Sequence, residues 1–513
     1  MRVIRPATLG LGLACLLAGG LPASAVSAEP ARPSLVWGPC SPQQTELRDA
    51  GALCTKVTVP LDHADPGGPS IEIAVSRVAA TGAPGKRRGI LLSNPGGPGG
   101  TGLAHTLYLR PALGRAAENY DLIGFDPRFL GESTPVTCAP ASPAPAPGPT
   151  TSRRAEFDRS VRDARDTARR CREHGDNARL LPHATTRDVA RDMDAIRAAL
   201  GEPRLSYYGV SYGADLGAVY TQMFPRRADR IVLDSSTDPA ATQYELFQRA
   251  GRPLEDGLDD WARWTARHDA VYRLGTTPAE VRARVQRLLD GAERRPVVVS
   301  GVPLTAPLVR LVLRQFVQHT EYDPALAATV RDLIDAAAGR PVEPGPDLAA
   351  MLGLLSSPDL ADSMLGGALF MCGDRGWPAG GWPKDPETYW RNMERSRADQ
   401  PVFGPLVNGM TAPCAFWTST SREPATVIGN GVDVLMLQAR YDNNVPYEGA
   451  LALHRRLTGS RLVTADIRSH GVFGRGLDGL TPIPCADRAV VAHLRDGTLP
   501  ASDTVCPRTE VVR

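Results

Sequence analysis

The sequence predicts an α/β protein: a mostly parallel sheet with helices on both faces, interrupted by a largely helical insertion. Three observations predict it. Short apolar runs at 88–93, 120–125, 204–208 and 230–234 alternate with helical segments, the pattern of buried parallel strands joined by crossover helices. Between about residue 239 and residue 428 helical periodicity dominates and strand signals become sparse. The strand, helix, strand alternation then resumes at 432–437, 447–457 and 461–467.

Taken in order, the chain opens with Arg2 and Arg5, an apolar Gly-rich run at 7–21, and two small-residue sites, Ala23-Ser24-Ala25 and Val26-Ser27-Ala28. Residues 1–28 therefore read as an export signal, too short in its apolar part for a membrane span, and the mature chain is expected to be secreted without stable membrane insertion. Removing Cys15 with the signal leaves eight cysteines, and an even number in an exported chain favours disulfides. Eight cysteines allow on the order of a hundred pairings. Pairing of neighbours is the simplest: Cys40 with Cys54, Cys138 with Cys171, Cys372 with Cys414, Cys485 with Cys506. No cysteine or histidine spacing suggests a metal site.

Early strands are expected at 54–60 and 71–78, the latter alternating as IEIAVSRV. The Pro- and Ala-rich stretch 139–151 reads as an exposed loop, 153–174 as a charged helix, and 186–200 as an amphipathic helix opened by Thr185-Thr186 and stopped by Gly201. A helix at 212–224 follows the strand at 204–208. The insertion holds expected helices at 244–267, 278–292, 303–318 and 325–338. The organisation is thus a core at 29–238, a mainly helical cap at 239–428, and the rest of the core at 429–513. Hydrophobic residues make up 42% and charged residues 22% of 513, with a net charge of +2. Such a composition forms a packed interior, and such a charge provides no strong field for nucleic acid or an anionic membrane.

The chemistry centres on Gly209-Val210-Ser211-Tyr212-Gly213, which follows a strand and opens a helix. This is the context of a G-x-S-x-G nucleophile elbow, in which a tight turn excludes bulk two residues before and after the serine. A serine needs a base, and in this fold class the order is serine, acid, histidine. Asp442 lies just after the strand at 432–437, whereas Asp433 starts it and would sit at the wrong edge; His470 follows the next strand. An oxyanion hole would use the Tyr212 N–H and a donor from Asn94-Pro95-Gly96-Gly97-Pro98-Gly99-Gly100-Thr101-Gly102, namely Gly96 or Gly97. The glycine run lacks a phosphate-loop lysine and a ribose-binding acid.

The segments NPGGPGGTG, GFDPRFLGESTP, YYGVSYGADLGAVYTQMFPRRADRIVLDSSTDP, RYDNNVPYEGA and SHG resemble those of secreted tripeptidyl aminopeptidases of the α/β-hydrolase fold. They are more distantly similar to proline iminopeptidases, which share the GGPG loop. The resemblance spans most of the mature chain and is weakest in the cap. It implies Ser211 as nucleophile, Asp442 as acid, His470 as base, Gly96 or Gly97 with Tyr212 at the oxyanion, and release of short peptides from free N-termini without a cofactor. The chain departs from the family in Phe129, where glycine is usual, and in Asp442-Asn443-Asn444-Val445-Pro446, where the family has a D-x-x-T-P-like run. An aminopeptidase must also hold an ammonium group. Asp374, in MCGDRGW, and Glu245 are the cap carboxylates considered for it. The rival readings are an esterase or lipase of the same fold, since function resides in the pocket, and a non-catalytic binding protein on that scaffold.

Overall fold

The computed structural model describes residues 35–139, 152–374, 381–409, 413–418 and 423–507. The expected export signal and nearly all of the 139–151 loop lie outside the described residues. Twelve strands occur among the described residues: β1 (Gly38–Pro39), β2 (Leu53–Pro60), β3 (Ser70–Val78), β4 (Gly89–Asn94), β5 (Tyr120–Phe125), β6 (Leu205–Val210), β7 (Ala228–Asp234), β8 (Val297–Val299), β9 (Val302–Leu304), β10 (Val434–Ala439), β11 (Ser460–Ala465) and β12 (Thr504–Cys506). Ten form one sheet in the order β1-β2-β3-β5-β4-β6-β7-β10-β11-β12. The first three strands pair antiparallel, and every pairing from β5 to β12 is parallel.

The central strands β4, β5 and β10 are buried along their whole length, as expected where helices cover both faces. Successive side chains separate onto the two faces. Ile90, Leu92, Ile123, Leu205, Tyr207, Ile231 and Leu233 join one core with helices Thr186–Ala199 and Tyr212–Met223. Leu91, Leu122, Tyr208, Val232, Leu435 and Val463 join another with helix Pro484–Asp496. Thr185 accepts the Asp188 N–H at 3.0 Å to start the helix Thr186–Ala199, and Gly201, at φ 76°, ends it.

Between β7 and β10 the chain builds a third core, in which Leu254, Leu258, Trp261, Val281, Val285, Leu313, Leu326 and Leu333 meet. Its helices include Gln243–Arg267, Pro278–Arg294, Ala306–Val317 and Asp323–Ala337. The helix expected at 303–318 begins later, because β8 and β9 form a hairpin turning at Ser300 and Gly301, both with positive φ. Those values belong to the tight turns that join antiparallel strands. Strands of three residues are too short to stand out against helical periodicity. The helices Pro346–Leu355, Pro358–Gly373 and Pro386–Ser396 add to the insertion.

The disulfides join Cys40 to Cys54, Cys138 to Cys171, Cys372 to Cys414, and Cys485 to Cys506, the nearest-neighbour pairing. No helix among the described residues is long and apolar enough to cross a membrane.

The loop after β5 is fastened by Arg128, which is fully buried and holds both carboxylate oxygens of Asp192 at 2.7 Å. Phe129 beside it takes φ 70° with a buried ring. A bulky residue in the left-handed region is strained, so here burial of the ring outweighs the backbone cost. Phe129→Gly is expected to relieve about 1 kcal/mol of strain and forfeit about 3–5 kcal/mol of buried ring, a net loss of about 2–4 kcal/mol, read from the urea midpoint.

Candidate active site

The elbow is built as its steric logic requires. Ser211 follows β6 at φ 59° and ψ −127° and is the N-cap of the helix Tyr212–Met223. A β-carbon on Gly209 would lie within 3.0 Å of the Gly213 backbone, and one on Gly213 within 3.0 Å of the Asn94 carbonyl oxygen. The Ser211 N–H is donated to the Asp234 carbonyl at 2.8 Å. The helix start behind the serine places its positive end toward any negative charge developing there.

Asp442 sits in the turn after β10 and is 1% exposed. Its Oδ1 accepts the N–H groups of Asn444 and Val445, each at 2.9 Å, and Gln438 Nε2 donates to its Oδ2 at 3.3 Å. His470 Nδ1 lies 2.9 Å from Asp442 Oδ2. A carboxylate only accepts, so this contact puts the imidazole proton on Nδ1 and leaves Nε2 as an acceptor. Burial pulls the imidazole pKa down, but the charge and hydrogen bond of Asp442 outweigh it, so His470 lies above its ordinary 6.5. The chain after His470 packs against the elbow, where a β-carbon on Gly471 would lie 3.7 Å from Val210 Cγ2.

The glycine loop after β4 packs directly on this turn. A β-carbon on Gly96 (φ 90°) would lie within 3.0 Å of the Val210 carbonyl oxygen and 3.3 Å from the Tyr212 nitrogen. The Gly96 N–H is donated to Asn94 Oδ1 at 2.9 Å, so this amide is already engaged and Gly97 is the loop's remaining candidate donor. At the far end of the loop, Asp126 Oδ1 accepts the N–H groups of Gly102 and Leu103 at 2.9 and 3.1 Å. A β-carbon on Gly99 would collide with the backbone of Gly366 and Gly367 in the helix Pro358–Gly373. That helix also sets Phe370 against Tyr212, ring centroids 6.3 Å apart.

The two cap carboxylates fall in different places. Asp374 is buried and accepts both the N–H of Thr186, at 2.8 Å, and its hydroxyl. The Thr186 hydroxyl in turn lies 2.9 Å from the Tyr212 hydroxyl, so Asp374 is two contacts from the elbow. Glu245 is exposed and completes a capping box with Thr242. It lines a polar cleft of about 530 Å³ with Gln248, Arg249, Asn392 and Asn408, and none of Ser211, Asp442 and His470 lines that cleft.

Residues 89–303 match the family described as alpha/beta hydrolase fold, and residues 400–506 match the family described as TAP-like protein. The chain is 36% identical to tripeptidyl aminopeptidase of Streptomyces lividans over 94% of its own length and 88% of that protein's. The chain belongs to the tripeptidyl aminopeptidase family of α/β-hydrolases. It is also 30% identical to serine protease Hip1 of Mycobacterium tuberculosis, covering 92% of this chain and 90% of that one. Identity to carboxylesterase B of the same organism is 28% over 98% of both. As a member of this family the chain is a serine hydrolase.

Sequence reasoning passed over several polar residues that organise this tripeptidyl aminopeptidase-family site: Asn94, Asp126, Asp234 and Gln438. A shared signal was available, since each lies at or just before the C-terminal end of a parallel strand, or in the first position after it, where ligands of α/β sheets gather.

Adding one methyl to the elbow tests the packing. Gly96→Ala and Gly213→Ala should lower the rate of labelling by a fluorophosphonate at least about a hundredfold, because a displacement of about 1 Å suffices for that. Gly291→Ala, which meets nothing within 4 Å, should label like the parent.

Proposed function

We propose that this chain is a secreted exopeptidase that releases short peptides, tripeptides above all, from free N-termini through an acyl-enzyme on Ser211. The observation that carries the reading is the Asp442–His470 contact, made by a loop that packs against the serine elbow, in a chain 36% identical to a tripeptidyl aminopeptidase over nearly its whole length. Export is supported by the N-terminal signal pattern and by four disulfides, which persist in oxidising compartments.

In the first half-reaction Ser211 Oγ attacks the scissile carbonyl while His470 Nε2 takes its proton, and Asp442 stabilises the imidazolium. The N–H groups of Tyr212 and Gly97 receive the oxyanion. His470 then gives the proton to the leaving amine, and the C–N bond breaks. In the second half-reaction water, deprotonated by the same imidazole, attacks the ester, releases the short peptide as its carboxylic acid and restores Ser211. For the substrate ammonium we assign Asp374, linked to the elbow through Thr186 and Tyr212, in preference to Glu245, which lines a cleft apart from Ser211, Asp442 and His470. The likeness to a carboxylesterase favours an esterase as the second reading. Comparing a tripeptide amide having a free N-terminus with a simple aryl ester separates the two: the peptidase reading expects the amide to be the better substrate by kcat/KM, and an ester-only enzyme would end it.

Three further outcomes follow. The neutral imidazole is the active form, and its pKa is raised, so kcat/KM should fall as pH drops through a midpoint above 6.5. Asp442→Asn should move that midpoint downward and reduce kcat by about four orders of magnitude. Asp374→Asn should raise KM for peptides with a free N-terminus and spare N-blocked esters; equal loss on both would remove the ammonium assignment.

A further inference from the structure

We propose that Asp234 is a positioning residue for the reaction, holding the loop of His470 against the nucleophile elbow. The proposal rests on the assignment of Ser211 and His470 made above. Asp234 ends β7 and is fully buried. Its carbonyl accepts the Ser211 N–H at 2.8 Å. Its Oδ2 accepts the N–H of Phe473 at 2.9 Å, the N–H of Val472 at 3.0 Å and the Tyr208 hydroxyl at 3.1 Å. Its Oδ1 lies 3.1 Å from the Val472 nitrogen and 3.2 Å from Ser235 Oγ. Ser235, at φ 59°, accepts the Gly471 N–H on its hydroxyl at 3.0 Å. The three residues after His470 therefore all donate their N–H to Asp234 or Ser235. One residue thus binds the backbone of the nucleophile on one side and the loop of the base on the other.

Two features set this apart from ordinary packing. A buried carboxylate is costly without donors, and here donors converge on it from three chain segments. A non-glycine residue at positive φ stores strain, which clusters at functional sites; here two such serines, Ser211 and Ser235, follow adjacent strand ends. Asp234 is not the acid of the triad, because His470 Nδ1 is engaged with Asp442.

Ionised, the carboxyl accepts with both oxygens, and burial pushes it up to about 6 against the pull of its donors. Tyr208 faces it from β6 and His470 from the loop after β11, with Asp478 and Asp487 behind Tyr208. His470 is faced by Asp442 and Asp234 from the core and by Arg314 from the cap, and it in turn faces His319, which Arg475 and Glu321 flank. As pH falls, activity should be lost as His470 is protonated, and the Asp234 charge that faces it holds that midpoint up.

The test measures kcat and KM of the mature chain on a free-N-terminal tripeptide amide between about pH 5 and pH 9. In Asp234→Asn the amide oxygen can replace Oδ2 and the NH₂ can donate to Ser235, so the loop is kept and the charge removed. This variant should retain kcat within about tenfold, while the midpoint of its acid limb falls because the negative charge facing His470 is gone. Asp234→Ala should lose about 30- to 100-fold in kcat with KM nearly unchanged. An Asp234→Asn profile that superimposes on that of the parent overturns the proposal, as does an Asp234→Ala variant with parental kcat. If the alanine variant does not fold, the asparagine profile decides alone. A parent chain that a fluorophosphonate fails to label defeats the Ser211 assignment and this inference with it. A labelled parent with an unchanged asparagine variant defeats only the role of Asp234.

Discussion

Loops leaving the C-terminal edge of the sheet carry backbone N–H groups that are buried and must find acceptors, and the rest of the site depends on how they find them. A buried N–H without a partner is rarely tolerated. Here the acceptors are short polar side chains at the strand ends. Asn94 takes Gly96, Asp126 takes Gly102, Leu103 and Glu132, and Asp442 takes Asn444 and Val445. Asp234 takes Val472 and Phe473, and Gln438 Oε1 takes Ser236 while its Nε2 supports Asp442. Asn94 and Asp442 so fix their own loops, while Asp126, Asp234 and Gln438 fix loops that leave other strands. That is the preorganisation a hydrolytic site needs, with its loops fixed before substrate arrives.

The insertion is bound into the same system. Arg468, two residues before His470, is buried and donates to the Val317 carbonyl and to Asp323. Asn443 donates to the same carbonyl at 3.0 Å, and Arg314 donates to Asn444 Oδ1 at 2.6 Å. On the opposite side, the helix Pro358–Gly373 meets Gly99 and Tyr212, and Asp374 meets Thr186. Removing one partner of a buried charged pair leaves the other unpaired, at a cost of about 3–5 kcal/mol. The insertion thus braces the Asp442 and His470 loops on one side and the glycine loop on the other. Burial of His319 beside this region pulls its imidazole down to about 3, so it stays neutral where His470 titrates.

Much of this was legible in the chain, and the division has a physical reason. Strand and helix signals are local: apolar runs of period two or complete burial, caps such as Thr185, stops such as Gly201. The steric demands on Gly209 and Gly213 act within one turn, and chain order with strand context singled out Ser211, Asp442 and His470 as candidates. Neighbouring cysteines also pair, because each pair brackets one short excursion of the chain. The β8–β9 hairpin escaped, since strands of three residues leave too little periodicity.

What only the tertiary structure decided are contacts between segments far apart in the chain. The 2.9 Å approach of His470 to Asp442 and the engagement of the Gly96 amide by Asn94 belong to this class. So do the link from Asp374 through Thr186 to Tyr212 and the capture of the His470 loop by Asp234. Each depends on which strands become neighbours in the sheet. A carboxylate at the end of a strand looks the same in sequence whether it faces solvent or receives a neighbour's N–H groups, and only the strand order places β7 between the serine and the histidine loop.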